Sequence, residues 1–515
     1  MSVPGSLRTY YLGIDSGGTV SKVALFDPQG REIAVTSRPV NNLRLRPDWS
    51  ERDMNQMWYD TASAIREVID RSGISSTEIA AVGCTGHGNG LYLIDADGLP
   101  VRNAINSDDC RARAIVVEWK EQGVHEVVLA KTMQSIWPAQ PNALLRWLRE
   151  NEPESFRRAR WMLMAKDYIR FKLTGTICGE ISDMSALSLI DNRTGEWDPE
   201  LFRVWGIENA LEKMPRIVKS TDVAGLVSKE AAQACGLAVG TPVCGGAFDI
   251  DACGLASGML DESHYCIVSG TWGNHLFIAP QPVIHSDIFM CSRYAVDGWY
   301  LHLDGNPSAA GNLEWYLQNY CHYELSDGKS IAATYLKCDE LYQESEPENC
   351  LLFMPFVNGS HLCPNASGAL LGIESRHQRG DVLRAVYESV AFSHRHQLER
   401  MQRFTNKVEC IRLTGGMTKN FPLVQLFSDC FQLPIWVPAG SEQGAQGAAI
   451  IASVSVGAHL NLAEASRSMT GFSHQYQPQR GRSSYMETKY QRYLSAVGKM
   501  LPVWNTIKTS LVLSE

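Results

Sequence analysis

The sequence has no long hydrophobic run. Its least polar stretch, Gly447 to Ala458, falls short of the roughly 20 residues a helix needs to span a bilayer. Met1 to Thr9 lacks a basic segment leading into an apolar one, the pattern of a secretion signal. A cytoplasmic protein with no membrane association is expected. Positive charge is also scarce: 47 Lys and Arg stand against 56 Asp and Glu, a formal net charge of −9. No basic stretch interleaves with aromatic residues, so no nucleic-acid partner is expected. Anionic small molecules stay within reach, because a few local donors hold a phosphate even inside an acidic protein.

Cysteine is present but unpatterned. The 14 cysteines are scattered, no two stand at C-x-x-C spacing, and neighbours such as Cys244 and Cys253 are nine apart. Neither a zinc site nor a disulfide framework is written in that spacing, and reduced thiols are the better reading. Also absent are G-x-x-x-x-G-K-[ST], H-E-x-x-H and G-x-S-x-G, which sets aside P-loop nucleotidases, metalloproteases and α/β-hydrolases. What is present is ample chain: 515 residues, 44% of them hydrophobic, suffice for two large lobes.

The first forty residues read as strands. Tyr10–Ile14 is an apolar run, Lys22–Phe26 follows a Gly-rich turn, and Glu32–Val40 follows the turn Asp27-Pro-Gln-Gly30. From Asp53, a candidate cap, Met54, Met57, Trp58, Ile65, Val68 and Ile69 recur at helical spacing. A buried strand, Ile79–Cys84, leads into Thr85-Gly-His-Gly-Asn-Gly90. Arg111 to Lys219 reads as mainly helical, and Gly240–Gly246 as a strand ending in paired glycines. After Asp249 the pattern restarts, with His264–Ser269, Gly270-Thr-Trp-Gly273 and Asn274–Ala279 as strand, Gly-rich turn, strand. A helix from Asp381 to about Phe404 precedes the strand Cys410–Leu413, Gly415-Gly416 and a helix to about Phe431. The strand Pro434–Val437 and a small-residue helix from about Glu442 follow. The restart suggests two similarly built lobes with a boundary near Gly254–Asp261.

Several turns could carry chemistry. In Asp15-Ser-Gly-Gly-Thr-Val-Ser-Lys22, Gly17 and Gly18 allow close backbone approach to a phosphate, Thr19 and Ser21 add hydroxyls, and Asp15 could hold Mg²⁺. An ordinary hairpin turn is the plain alternative. Gly270-Thr271 offers a second such turn, and Leu413-Thr-Gly-Gly-Met417 ends a strand and opens a helix, where a nucleotide can sit. Asp249, after Gly245-Gly246, could take a proton from a substrate hydroxyl or could simply cap the helix that follows. His87, Asn89, Asp109 and Arg111 offer polar groups for a hydroxylated ligand, or fill turn and cap roles. His394 and His396, at i and i+2 of a helix, point to different faces and make a poor chelate.

At these residues the sequence resembles the FGGY family of carbohydrate kinases, over nearly the whole chain. The family's C-terminal signature is met at Gly368, Leu370, Gly372, Ile373, Asp381, Val382, Ala385 and Glu388. The other parts follow in the family's order: Asp15–Lys22, Trp49/Glu51/Asp53, Asp109-Cys-Arg111, Asp167 with Leu173-Thr-Gly175, Gly245–Asp249, Gly270-Thr271, Gly311, Gly415-Gly416 and Glu442 with Gly447-Ala-Ala449. The resemblance implies an α/β fold of two actin-like, ribonuclease-H-like lobes with an interlobe cleft. Residues 1–255 would be the sugar-binding lobe with the catalytic base, and residues 256–515 the nucleotide-binding lobe. It implies ATP and Mg²⁺, a small sugar as partner, and a homodimer as one assembly open to the chain.

By that carry-over Asp249 is the base and Asp15 the metal-side carboxylate. Gly17, Gly18, Thr19, Ser21, Lys22, Gly270, Thr271, Gly311, Gly415, Gly416 and Met417 would bind the nucleotide. His87, Asn89, Asp109, Arg111 and Phe248 would bind the sugar. There are departures: Leu144 stands for the signature Lys three residues before Trp147, Ser389 for a Gly, and Phe248 for the Gly of many members, reshaping the sugar pocket. Gly88-Asn89 differs from both the glycerol-kinase Arg-Glu and the xylulose-kinase Met-His. Tyr11–Asp15, Trp49–Met54, Gly311–Trp315 and Phe392–His394 resemble the L-xylulose (3-keto-L-gulonate) kinase branch, so a ketopentose such as L-xylulose is the expected acceptor. D-xylulose, ribulose, erythritol and glycerol are alternatives. A non-catalytic nucleotide or sugar switch is the rival class, and it would not need Asp249 beside a sugar pocket.

Overall fold

The computed structural model describes residues 9–270, 272–320, 331–347, 349–360, 365–405 and 408–512. Thr271 lies outside them. The chain forms two compact units that are not contiguous in sequence. The first takes residues 1–260, 278–302 and 439–471, and the second 261–277, 303–438 and 472–515.

The first unit is built on strands β1 (Tyr10–Ser16), β2 (Val20–Phe26), β3 (Glu32–Pro39), β4 (Ile79–Gly86), β5 (Val223–Leu226), β6 (Pro242–Cys244) and β7 (Ala247–Phe248). Their order is β5-β6-β4-β1-β2-β3, with β7 also paired to β4. The hairpins β1–β2 and β2–β3 are antiparallel, whereas β1, β6 and β7 each run parallel to β4. Leu12, Ile14, Val23, Leu25, Val82 and Cys84 from these strands pack with Met54, Met57, Ile65 and Val68 of the helix Met54–Ser72. Asp53 caps that helix as its position predicts, accepting from the amides of Asn55 and Gln56. The segment between β4 and β5 is mainly helical and buries its own core around Trp119, Leu144, Leu148 and Trp205.

A second sheet is made of β8 (His264–Ser269), β9 (Gly273–Ala279), β10 (Met290–Arg293), β11 (Tyr300–Asn306), β12 (Cys410–Thr414), β13 (Ile435–Pro438) and β14 (Phe472–Tyr476). The order in this sheet is β10-β11-β9-β8-β12-β13-β14. Its start repeats the first sheet: a Gly-turn antiparallel hairpin, β8–β9, whose first strand has a parallel partner, β12. One local expectation is corrected here. Gly415-Gly416 does not open the next helix directly; a 3₁₀ turn, Gly416–Lys419, intervenes, and Asn420 caps the helix Phe421–Phe431. Asn followed two residues later by Pro422 is a start signal of the usual kind.

Among the described residues, Cys84, Cys110, Cys178, Cys235, Cys244, Cys291, Cys350, Cys410 and Cys430 are free thiols. Among the described residues, no helix is long and apolar enough to cross a membrane.

Candidate active site

Three strand ends of the first unit meet at one level. Asp15 pairs with Thr85 and Ser16 with Gly86 across β1 and β4, while Ala247 pairs with Thr85 and Phe248 with Gly86 across β7 and β4. Asp15, the His87–Asn89 loop and Asp249 therefore leave the sheet side by side, at the carboxyl ends where open α/β sheets take ligands. Gly246 permits this: its φ is +77°, and a Cβ there would fall 1.9 Å from the Cys84 carbonyl oxygen.

Asp249 occupies the first position of the helix Asp249–Ala256; the N-cap is Phe248, which makes no side-chain cap bond. Asp249 is thus not that helix's cap. Its carboxyl is held well above the usual carboxylate range, by desolvation first and then by the charges of Asp15 and Asp183. Asp15 is pushed up to about 6 by desolvation, with Lys22 opposing and Glu442 reinforcing the shift. Lys22, opposite Asp15 in the β1–β2 register, pairs with Glu442 at 2.6 Å, which divides its charge between two acids. Asp15 Oδ2 lies against Gly444, where a Cβ would sit 2.5 Å away.

Beneath Asp249 is a buried polar lattice that the sequence did not reveal. Lys166 approaches Asp167 at 2.9 Å, Asp183 at 3.3 Å and Glu180 at 3.5 Å, and all four side chains are fully buried. Arg170 pairs with Asp167 at 2.9 Å and donates to the Gly245 and Cys178 carbonyls, each at 2.5 Å. Ser182 Oγ donates to Glu180 at 2.8 Å and accepts from the Phe248 amide at 3.0 Å, so the chain is tied down one residue before Asp249. Asp183, despite its ion pair, has no hydrogen-bond partner on either oxygen. Desolvation, with Asp167 and Glu180 adding to it against Lys166, pushes its carboxyl up to about 7. Only Asp167 carried a sequence signal; the others pair across too many residues for spacing to show it.

The neighbouring loop holds two of the expected acceptor residues, His87 and Asn89. His87 shares a 2.9 Å hydrogen bond with Tyr92 and a 3.3 Å one with Ser107, and desolvation, aided by Arg52, holds its imidazole down to about 4. It is neutral at physiological pH. Asn89, in the left-handed region at φ +61°, is 5% exposed and leaves its Oδ1 without a partner. Between them, Gly88 faces Phe248 and Asp183: a Cβ there would lie 2.5 Å from the Phe248 ring and 2.9 Å from Asp183 Oδ1. Gly88 and Phe248 thus fit only as a pair.

Asp109 and Arg111 serve each other first. Asp109 accepts from the Ser50 amide at 2.7 Å and from the Arg111 amide and guanidinium at 2.8–2.9 Å. Arg111 also reaches Glu51 at 2.9 Å and lies over the Trp49 ring, 4.0 Å from its centroid. Its Nη1 alone lacks a partner.

In the phosphate-type turn, Gly18 and Thr19 are exposed, while Gly17 O and Ser21 Oγ accept from Arg52 at 3.3 and 3.0 Å. The second unit gathers its own glycines. A Cβ on Gly415, at φ +94°, would fall 2.3 Å from the Ser269 carbonyl oxygen, and Ser269 Oγ donates to the Met417 sulfur. The Gly270 carbonyl accepts from the Ala310 amide at 3.3 Å, next to Gly311, and around Gly416 there is open space. Gly270, Gly311, Gly415, Gly416 and Met417 therefore form one neighbourhood. Among the described residues, no group of three or more His, Cys, Asp or Glu side chains is placed to hold a metal.

Comparison with known proteins finds the same pattern. Residues 10–255 match the N-terminal domain, and residues 265–456 the C-terminal domain, of the FGGY family of carbohydrate kinases. A probable L-xylulose kinase of Pasteurella multocida is 34% identical over 489 residues, 94% of this chain and 97% of that protein. The L-xylulose/3-keto-L-gulonate kinase of Escherichia coli is 34% identical over 491 residues, 95% of this chain and 96% of that protein. Among solved structures, a xylulose kinase of Rhodospirillum rubrum superposes with a TM-score of 0.86 at 24% identity, covering 96% of this chain and all of that one.

Proposed function

This chain belongs to the FGGY family of carbohydrate kinases and is an ATP-dependent phosphotransferase, and from that premise we propose that its acceptor is a ketopentose, L-xylulose before others. The observation that carries the site reading is the junction of Asp15, the His87–Asn89 loop and Phe248–Asp249 at adjacent strand ends. The names of the relatives at 34% identity support the choice of sugar.

In this reading the acceptor hydroxyl hydrogen-bonds to Asp249. Its oxygen attacks the γ-phosphorus, the bond from that phosphorus to the ADP oxygen breaks, and the hydroxyl proton goes to the Asp249 carboxylate. Phosphoryl transfer asks the protein mainly for alignment and charge. A carboxyl whose surroundings raise its proton affinity is a better acceptor than an ordinary one. His87, Asn89 and Arg111 offer the sugar a neutral ring, an unpartnered carbonyl oxygen and a free guanidinium nitrogen, with Asp109 positioning Arg111. The Phe248 ring against Gly88 sets the width of the pocket.

Gly17, Gly18, Thr19, Ser21 and Lys22 serve the phosphates from residues 1–255. Gly270, Thr271, Gly311, Gly415, Gly416 and Met417 serve the nucleotide from residues 256–515. Asp15 would hold Mg²⁺, which takes one or two carboxylates plus phosphate oxygens and needs no protein cage. The fit rests on a carboxylate left short of positive charge. When bound, the ion offsets charge on the phosphate oxygens. The cytoplasm, where ATP is made and thiols stay reduced, suits this activity.

A coupled ADP-release screen over ketopentoses, aldoses and polyols tests the acceptor. L-Xylulose is expected to give the highest kcat/KM. A polyol or aldose above every ketopentose would replace this reading.

A further inference from the structure

The turn between β1 and β2 has its carbonyl oxygens taken one after another. Arg52 Nη1 donates to Gly17 O at 3.3 Å, Asn42 Nδ2 to Gly18 O at 2.9 Å, and the Val40 amide to Thr19 O at 2.8 Å. In a trans peptide the C=O of one residue and the N–H of the next point opposite ways. The Gly18 amide is therefore turned away from Arg52, and the Thr19 amide away from Asn42. Neither amide donates to any group among the described residues, and a Cβ on Gly18 would meet nothing within 4 Å. A turn whose acceptors are occupied, whose donors are free and which has space beside it suits an anion.

The two side chains that hold the turn come from outside it and are themselves fixed. Arg52, 4% exposed, lies in the two-residue strand Glu51–Arg52 and spans the turn, since its Nη2 also donates to Ser21 Oγ at 3.0 Å. Among the described residues no carboxylate pairs with it, so its charge is left to favour an anion at the turn. Asn42 is held at its other end. Its Oδ1 accepts from the buried Asn106 Nδ2 at 3.0 Å, and that nitrogen also donates to Ser50 Oγ at 3.1 Å. We propose that Arg52 and Asn42 are positioning residues for the nucleotide: by holding the Gly17 and Gly18 carbonyls, they leave the Gly18 and Thr19 amides aimed at its phosphate oxygens. This rests on the phosphate-turn reading above and adds to it the two residues that set the turn's conformation. Neither side chain has to touch the nucleotide.

The test titrates the full-length enzyme with a non-hydrolysable ATP analogue and with adenosine, which carries no phosphate. Native enzyme should prefer the analogue. Arg52→Met and Asn42→Ala should each cut that preference by roughly 10-fold, the worth of a well-aimed hydrogen bond to a charged group, and leave adenosine affinity unchanged. Arg52→Lys, which keeps the charge and a donor, should recover part of the loss. In turnover, the ATP KM should rise while the sugar KM stays. An unchanged preference in either variant would overturn the proposal. So would equal losses for analogue and adenosine, because that pattern assigns the contacts to folding alone. If Arg52→Met does not fold, the half-buried Asn42 decides through Asn42→Ala. Gly18→Pro, which removes one amide and keeps both braces, separates this proposal from the reading beneath it. If Gly18→Pro binds the analogue as native enzyme does, the turn holds no phosphate and both fail. If it loses the preference while the brace variants keep theirs, only the proposal fails.

Discussion

The surroundings of Asp249 raise its affinity for a proton, and that has two separable consequences. As the proton acceptor, its loss to Asn or Ala should cut kcat by about 10²–10⁴-fold, the range for a positioned base. As a carboxyl whose folded pKa is raised, it takes up protons on folding, so its contribution to stability is greatest in acid and is lost as pH rises. Asp249→Asn should therefore melt no lower than native enzyme at pH 8, and higher if no cation is bound. Melting curves and turnover from one preparation check both; a fully active variant would sink the assignment of the base. Asp249 was legible because a strand ending in Gly245-Gly246 delivers it to an edge. Lys166, Glu180, Ser182 and Asp183 were not, because a buried ion lattice is defined by partners far apart in sequence.

The helix Gln443–Ser455 shows what an element's composition can and cannot reveal. Its small residues were readable, and so was its start near Glu442. Its partners were not. The helix lies after β13 in the chain, yet it packs on β1, β4 and the helix Asp249–Ala256 of the first unit. The contacts explain the glycines. A Cβ on Gly83 would fall 2.0 Å from Ala448 O, one on Gly13 1.9 Å from Ala445 O, and one on Gly447 2.0 Å from Ala252 O. Each obstacle is backbone, which cannot turn aside as a side chain can. Gly83→Ala should therefore sit at or above the top of the 1–3 kcal/mol typical of overpacking, measured by urea unfolding. A loss under about 0.5 kcal/mol would mean that helix and sheet are not in direct contact. The same packing brings Gly444 against Asp15, so an element far along the chain shapes the surroundings of that carboxylate. Strands, hairpins and the repeated Gly turn were legible because each follows from local pattern; the interleaving of units was not.

Over the whole molecule, the net charge of −9 is less informative than where the acids are. Asp15 is pushed up to about 6 and Asp183 to about 7, and Asp249 and Asp251 are raised too, all in the first unit. In every case desolvation is the leading cause. Each folded pKa exceeds its unfolded value, so the folded state binds more protons, and stability falls as pH rises between the two values. Asp15 isolates the effect. At pH 4 the folded carboxyl is protonated and the unfolded one only about half ionised, so Asp15→Asn should melt close to native enzyme. From pH 4 to about 6 the native protein should lose stability relative to the variant, and above that the gap should hold constant. Mg²⁺ with ADP should narrow the gap at pH 8, because a divalent ion supplies the charge that Lys22, shared with Glu442, does not. It should do little at pH 4, where there is no carboxylate to meet it. Melting curves from pH 4 to 8, with and without Mg²⁺-ADP, read all three features. A gap that does not vary with pH would show that Asp15 is ordinarily solvated. A gap that opens with pH but ignores Mg²⁺-ADP would keep the desolvated carboxylate and remove Asp15 from the metal site.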